Sequence, residues 1–333
     1  MNSFRIPELH DTMQKIQAVQ FHRYGDPDVL ACEHIPRPVL KPRHLRVAVH
    51  AASVNPVDWR FRRGQLRWID WSGFPKIPGS DVAGEVLAVG PGIEQFRVGD
   101  RVFSMLDTRA GGGYAEEVLV PAEDAALIPE NLSMEEAASL PLVSLTAMQA
   151  LRDKADLKKG GHLLINGASG GVGTIAVQIA RAWGARVTGV CSYRNTDLVR
   201  SLGAEHAIDY TSADFVSEGT QYDIIFDAFG NLNVENVKQA LRPGGRFVTT
   251  DIMPGSILRT FSSRLLGGSR AHIVVVRPDG DDLRELASMV SAGAVRPVVD
   301  RVYPLCEAAE AHRYSETKRA SGKIVLRTDH ATP

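Results

Sequence analysis

The 333-residue chain is expected to adopt an α/β fold: a β-rich domain interrupted by a doubly wound parallel-sheet domain of nucleotide-binding type. Three observations predict it. Short β-rich runs split by Gly, Pro and Asp fill residues 15–120; apolar strands alternate with helical stretches over 160–278; and strand-like segments return beyond residue 296.

Taken in order, "IQAVQFH", "LRVAVHAASV", "DVAGEVLAVG", "DRVFSML" and "YAEEVLV" read as the strands of an irregular β domain. At Ser133 the pattern changes. "SMEE" is a capping box, with Ser133 able to accept a backbone N–H and Glu136 to reach back, and helices begin there. The strands of the second domain are "HLLIN", "RVTGVC", "HAID", "DIIFDAF", "RFVTTD" and "HIVVV", with "TDLVRSLG" and "VENVKQALR" as helices between them. Continuous apolar strands alternating with helices imply a parallel sheet covered on both faces. After "RPDGD", the helix "DLRELASMVSAG" stops at Gly293, and "PVVDRVYPL" and "GKIVLRT" return to strand. The expected boundaries are 1–139 with 279–333 for the β-rich domain and 140–278 for the inserted one.

Composition excludes several classes. The chain is 44% hydrophobic, 23% charged and 7% aromatic, with a formal net charge of -1 and no long basic tract, so no nucleic-acid partner is expected. No apolar run approaches membrane-spanning length, so no membrane is expected either, and "MNSFRIPELHDTMQK" lacks the apolar centre of a signal peptide. Cys32, Cys191 and Cys306 are odd in number and far apart. They read as buried structural residues in a reducing compartment, which makes a cytoplasmic location the expectation.

"INGASGGVG" stands where a dinucleotide fingerprint must stand, after a buried strand and before a helix whose Val172, Ile175, Ile179 and Ala182 fall on one face. The spacing over Gly167, Gly170 and Gly173 is G-x-x-G-x-x-G, one residue looser than the usual form. The physics is unchanged: without Cβ atoms the backbone of Gly167, Ala168, Ser169, Gly170, Gly171, Val172 and Gly173 approaches a pyrophosphate, which meets free N–H groups and the positive end of a helix dipole. The second strand ends at "GVCSYRN". No Asp or Glu occurs from Gly184 to Thr196 to grip a ribose 2′-hydroxyl; Ser192, Arg194 and Asn195 offer donors and positive charge that suit a 2′-phosphate. NADPH is the expected cofactor.

The ordered series "AASVNPVDW", "PGSDVAGEVLAVG", "VGDRVFS", "GGYAEEVLVP", "AASLPLVSLTAMQAL", "GASGGVGTIAVQIA", "LGAEHAIDY", "LRPGGRFV" and "GKIVL" resembles the medium-chain dehydrogenase/reductase superfamily, and within it the zinc-free quinone oxidoreductase, zeta-crystallin-like branch. The resemblance implies a GroES-like catalytic domain interrupted by a Rossmann domain, with the active site between them. It also implies a homodimer, with the "HIVVV" strands as the edges that pair. Where zinc-bearing relatives place Cys, His and Cys or His, this chain has Asn55, Ser80 and Leu142, and no cluster of metal-ligand spacing replaces them. No metal is expected, and alcohol oxidation at a Lewis acid is set aside.

Hydride transfer without a metal suits quinones and α,β-unsaturated carbonyls, because charge develops on a conjugated oxygen that hydrogen-bond donors stabilise. By family position Asn55, ahead of Pro56, is the candidate polar contact at the nicotinamide ribose or substrate oxygen, and Asp58 either relays a proton or orders the loop. The resemblance places Thr146 by the nicotinamide, Gly230 and Thr250 beside its ribose and ring, Tyr210 by the adenosine phosphate, and Lys323 near the cofactor. Tyr114 lies in a strand pattern and reads as core or wall rather than acid. Arg60, Arg62, Arg63 and Lys76, with Trp59, Trp68 and Trp71, border the substrate mouth in the family; their charge leaves open an enoyl-thioester such as an acyl-CoA as substrate. A non-catalytic, crystallin-like NADPH-binding protein is the remaining alternative.

Overall fold

The computed structural model describes residues 14–70, 72–265 and 270–328. The amino-terminal extension and Trp71 lie outside these. The chain forms two compact units, one of residues 1–142, 278–288 and 299–333, the other of 143–277 and 289–298.

The first unit begins with an antiparallel hairpin of β1 (Lys15–Gln20) and β2 (Ala31–Pro36). Next come β3 (His44–Val54), α1 (Pro56–Arg62), β4 (Asp81–Val89), β5 (Arg101–Met105), β6 (Glu117–Pro121), β7 (Ala125–Leu127) and α2 (Met134–Ala138). The long β3 pairs antiparallel with both β4 and β6, β4 with β5, and β5 with β7. Leu45, Val47, Val49, Val82, Val86 and Val102 fill its core. The capping box predicted before α2 is present: Glu136 N–H donates to Ser133 Oγ at 3.1 Å and Ser133 N–H to Glu136 Oε2 at 2.9 Å.

The second unit follows with α3 (Pro141–Met148), which loosens into a π turn over Gln149–Lys154, then β8 (His162–Asn166), α4 (Gly171–Ala182), β9 (Arg186–Cys191), α5 (Thr196–Ser201), β10 (His206–Asp209) and β11 (Tyr222–Asp227). After these come α6 (Val234–Val237), β12 (Leu241–Thr249), α7 (Pro254–Leu265) and β13 (Arg270–Ile273). Its six strands are parallel in the order β10-β9-β8-β11-β12-β13. The chain winds outward from β8 on one side and from β11 on the other, so the carboxyl ends of these neighbours mark the switch point where open α/β sheets bind ligands.

Several expectations are corrected. Helix α4 is buried from Gly173 through Ala180, not along one stripe, and Ala182 is exposed. "VENVKQALR" yields only the four-residue α6 and a 3₁₀ turn, because Leu241 already pairs with Tyr222 as the start of β12. "HIVVV" is strand only to Ile273; Val275 is exposed.

The first unit resumes with α8 (Gly280–Ser291), β14 (Val299–Pro304), α9 (Ala308–Glu316) and β15 (Lys323–Arg327); β14 lies parallel to β15, and β15 antiparallel to β3. Residues 289–298 group with the second unit, where Gln178 exchanges two hydrogen bonds with the Arg296 backbone, at 3.0 and 2.9 Å. The cysteines also differ from expectation. Cys32 and Cys306 are exposed and disulfide-bonded, and only Cys191 is buried and free. A pairing across 274 residues has no signature in local pattern.

Candidate functional site

Each unit carries one candidate site. In the second, Gly167 follows β8 with φ +78°, and its N–H and that of Ala168 donate to Val190 O at 3.1 and 2.9 Å, tying the loop to β9. Gly170 caps α4 in extended conformation. A Cβ on residue 173 would sit 2.1 Å from Gly167 O and 2.7 Å from Ala168 Cα, so only glycine lets the turn fold back on the helix start. The first N–H groups of the 12-residue α4 have no partner within the helix, as at every helix start, and form an amide-lined cradle.

The cradle's far wall is the end of β9. Asn195 Nδ2 donates to Ser169 Oγ at 3.0 Å and to Ser192 Oγ at 3.4 Å, so the fingerprint loop and the predicted 2′-phosphate residues form one polar cluster. Arg194 is exposed beside it. Tyr210, 64% exposed, continues from β10, and Tyr193, which sequence reasoning passed over, is 76% exposed. At the switch point Asn166 Nδ2 donates to Asp227 Oδ1 at 2.8 Å. The same buried carboxylate accepts from Gly230 N–H, Leu232 N–H and Thr249 Oγ. Burial pushes its pKa up against those donors. Thr250 Oγ lies 3.3 Å from Ala228 O, beside Gly230 with φ +77°. Thr146 is buried in α3. Asp227 was missed because an acid closing an apolar strand reads as a turn former; it holds the loop bearing Gly230.

In the first unit β3, β4, β15 and α1 converge on a buried polar network. Asn55 is the N-cap of α1 and Pro56 its first residue, which fixes the loop's direction. Asp58 Oδ2 accepts from Asn55 N–H at 2.7 Å, the returning half of a capping box, and Ser80 Oγ bonds its other oxygen at 3.1 Å. The Asn55 carboxamide turns away from the helix. Its Nδ2 donates to Asp81 Oδ2 at 2.8 Å, and Lys323 Nζ donates to its Oδ1. Asp81 is the hub that sequence reasoning did not single out: it accepts from Ser53 Oγ at 2.6 Å, Leu142 N–H at 2.7 Å, Asn55 and Lys323. Lys323 is thus brought to Asn55 and Asp81, and burial lowers its pKa, with Asp81 and Asp58 opposing.

Behind Asp58 lies a second layer. Tyr114 OH is 3.4 Å from Asp58 Oδ2 and 3.1 Å from His312 Nε2. Tyr114 is fully buried, as its strand pattern implied, and burial, then Asp58 and Asp81, hold its phenol well above the usual range. His312 is pushed down to about 3 by burial and by the Arg62 charge, so it is neutral. Arg62 itself is wholly buried, donating to Gly25 O at 2.8 Å and to Glu316.

That pairing changes the reading of the mouth loop. Arg63 pairs with Glu316 and Asp26, and Lys76 with Asp70 at 2.7 Å. Trp59 is buried, with Arg60 over its ring at 5.6 Å, and Trp68 is 44% exposed. Arg62, Arg63 and Lys76 thus each meet a carboxylate of their own unit.

Burial pushes Asp58 up to about 7, and Asp81 adds to the shift, while Asn55 N–H, Lys323 and Ser80 oppose it. A carboxyl with a raised folded-state pKa stabilises most below its unfolded pKa near 4, and this contribution is lost as pH rises toward 7. Asp58→Asn should therefore flatten stability against pH between about 4 and 7, where the native slope reaches about 1.4 kcal/mol per pH unit. Urea midpoints at half-unit intervals check this; equal slopes in both proteins would refute it.

Comparison with known proteins matches residues 41–130 to the alcohol dehydrogenase GroES-like domain and residues 202–326 to a zinc-binding dehydrogenase domain. The chain is 34% identical over 325 residues to the chloroplast envelope quinone oxidoreductase homolog of Arabidopsis thaliana, covering 93% of this chain and 98% of that one. It is also 34% identical to the chloroplastic NADPH-dependent alkenal/one oxidoreductase of the same plant, over 94% of this chain and 80% of the relative. Among solved structures, the quinone oxidoreductase of Coxiella burnetii superposes with a TM-score of 0.86 at 31% identity, covering 94% and 99% of the two chains.

Proposed function

Because the chain belongs to the medium-chain dehydrogenase/reductase superfamily, in its zeta-crystallin-like quinone oxidoreductase branch, we propose that it is an NADPH-dependent, zinc-independent oxidoreductase that reduces quinones or α,β-unsaturated carbonyls. The carrying observation is the amide-lined cradle at the start of α4, too tight at Gly173 for any side chain. The nicotinamide, when bound, supplies a hydride. Gly167 through Gly173 would hold the pyrophosphate on backbone N–H groups. Ser192, Arg194 and Asn195 would hold the 2′-phosphate, where a fixed cation and neutral donors replace a ribose-gripping carboxylate. Tyr210 would flank the adenosine, and Thr146, Gly230 and Thr250 the nicotinamide end. Asn55 is assigned the polar contact at the reacting end, its carboxamide fixed in one orientation by Lys323 on the oxygen and Asp81 on the nitrogen. Asp58 orders that loop through Asn55 N–H.

The donor set argues against a transition metal at Asn55, Ser80 and Leu142. A carboxamide, a hydroxyl and an apolar side chain stand there, with a lysine ammonium among them.

Purified protein should oxidise NADPH with 1,2-naphthoquinone and simple enones at least about tenfold more efficiently than NADH, undiminished by a chelator. Preference for NADH, or loss of turnover on chelation, would overturn the proposal; NADPH binding without turnover would leave a non-catalytic protein. We also assign a homodimer built on β13, one of the two edges of the parallel sheet. No helix among the described residues is long and apolar enough to cross a membrane.

A further inference from the structure

We propose that Cys32 and Cys306 form a reversible thiol–disulfide modification site whose closed form clamps the two elements that enclose Tyr114. Cys32 lies on β2, and Cys306 in the 3₁₀ turn Leu305–Glu307 that leads into α9. Both are exposed, and their Cα atoms are 5.3 Å apart, a separation a disulfide spans without backbone movement.

Each cysteine leads to Tyr114 by a different route. Cys32 stands opposite Val19 in the hairpin, and Val19 N–H donates to Tyr114 O at 2.8 Å. Its neighbour Ala18 bridges Ala115. From the other side, α9 sets His312 against the Tyr114 hydroxyl and Glu316 against Arg62. The crosslink therefore joins the amino-terminal hairpin to the helix that holds the far end of the same tyrosine.

Stability alone does not call for the bond. Disulfides are most needed where a small domain cannot build a core, and this unit has a continuous one. Exposure makes the sulfurs accessible to exchange. Cys191 is an internal control, buried, with its thiol pushed up to about 11 by burial and then by Asp209.

Closure from the dithiol needs a two-electron oxidant, here a low-molecular-weight disulfide. One thiolate attacks it, forming a mixed disulfide and releasing one thiol; the second cysteine then displaces the other. Two protein thiols are oxidised to one disulfide, the small disulfide is reduced to two thiols, and the two protein protons end on them. An excess of dithiol reagent reverses the sequence.

The test uses the full chain, reduced, freed of reductant and exposed to glutathione disulfide. It does not depend on which acceptor the protein reduces. Thiols titrated after denaturation should fall from three to one, a Cys32–Cys306 linked peptide should appear, and amide exchange across 308–316 in the folded protein should slow at least about tenfold, with dithiothreitol restoring all three. Cys32→Ser should abolish the link and the protection together, and comparison of reduced with oxidised wild type needs no variant to fold. A stable glutathione adduct on either cysteine, or closure that leaves exchange at 308–316 unaltered, overturns the proposal.

Discussion

Gly173→Val is expected to weaken NADPH binding at least about 100-fold, a loss of about 2.7 kcal/mol. The new Cβ would fall 2.1 Å from Gly167 O and 2.7 Å from Ala168 Cα, both backbone atoms with no rotamer to yield. The loop must open to relieve the contact, and the N–H groups then lose the convergence on which anion binding depends. Fluorescence titration of NADPH checks this, with circular dichroism to show that the fold persists. Wild-type affinity would refute the assignment of the cradle. Gly170→Ala is the comparison, since its Cβ would meet Gly167 O only at 3.4 Å and a far smaller loss is expected.

Asp81→Ala is expected to cost about 3–5 kcal/mol of stability and most of the NADPH-dependent turnover. The carboxylate is fully buried and accepts four hydrogen bonds, one from the ammonium of Lys323, which is itself 5% exposed. Removing it strands that charge and frees the Asn55 carboxamide to turn. Denaturant midpoints measure the first effect and steady-state kinetics the second. Adding Lys323→Met to the variant should recover much of the stability, because the uncompensated charge is gone, but not the turnover, because Asn55 still lacks both its partners. Recovery of both by the double variant would show that Asn55 orientation is immaterial.

The two sites were not equally legible. The glycine turn at the start of α4 was readable because its physics is local: strand, glycines and helix follow one another over residues 162–182, and the absence of an acid from Gly184 to Thr196 is visible in one line of sequence. The polar network was readable only in part. Asn55 and Asp58 are three residues apart at the start of α1, but Asp81 and Lys323 reach them through strand pairing, with Ser53 opposite Asp81 and Val54 opposite Ile324. No spacing rule connects residues 55, 81 and 323 before that register is known. Arg62 was misread for the same reason: an arginine among arginines reads as a cation of the substrate mouth until Glu316 arrives from the far end of the chain and the guanidinium is seen to pair out of solvent. Short helical patterns failed where a strand pairing overrode them, as at Leu241.

The excursion of residues 289–298 into the second unit has a practical consequence. The polypeptide passes between the two units four times, so neither is a contiguous stretch and no single proteolytic nick releases one whole. A truncation ending at residue 277 keeps every strand of the parallel sheet, yet removes the backbone on which Gln178 rests both ends of its amide. That side chain is 5% exposed, two turns down the helix that opens at the cradle. Swapping this nucleotide module between relatives would therefore mean transplanting two pieces of chain, the second only ten residues long.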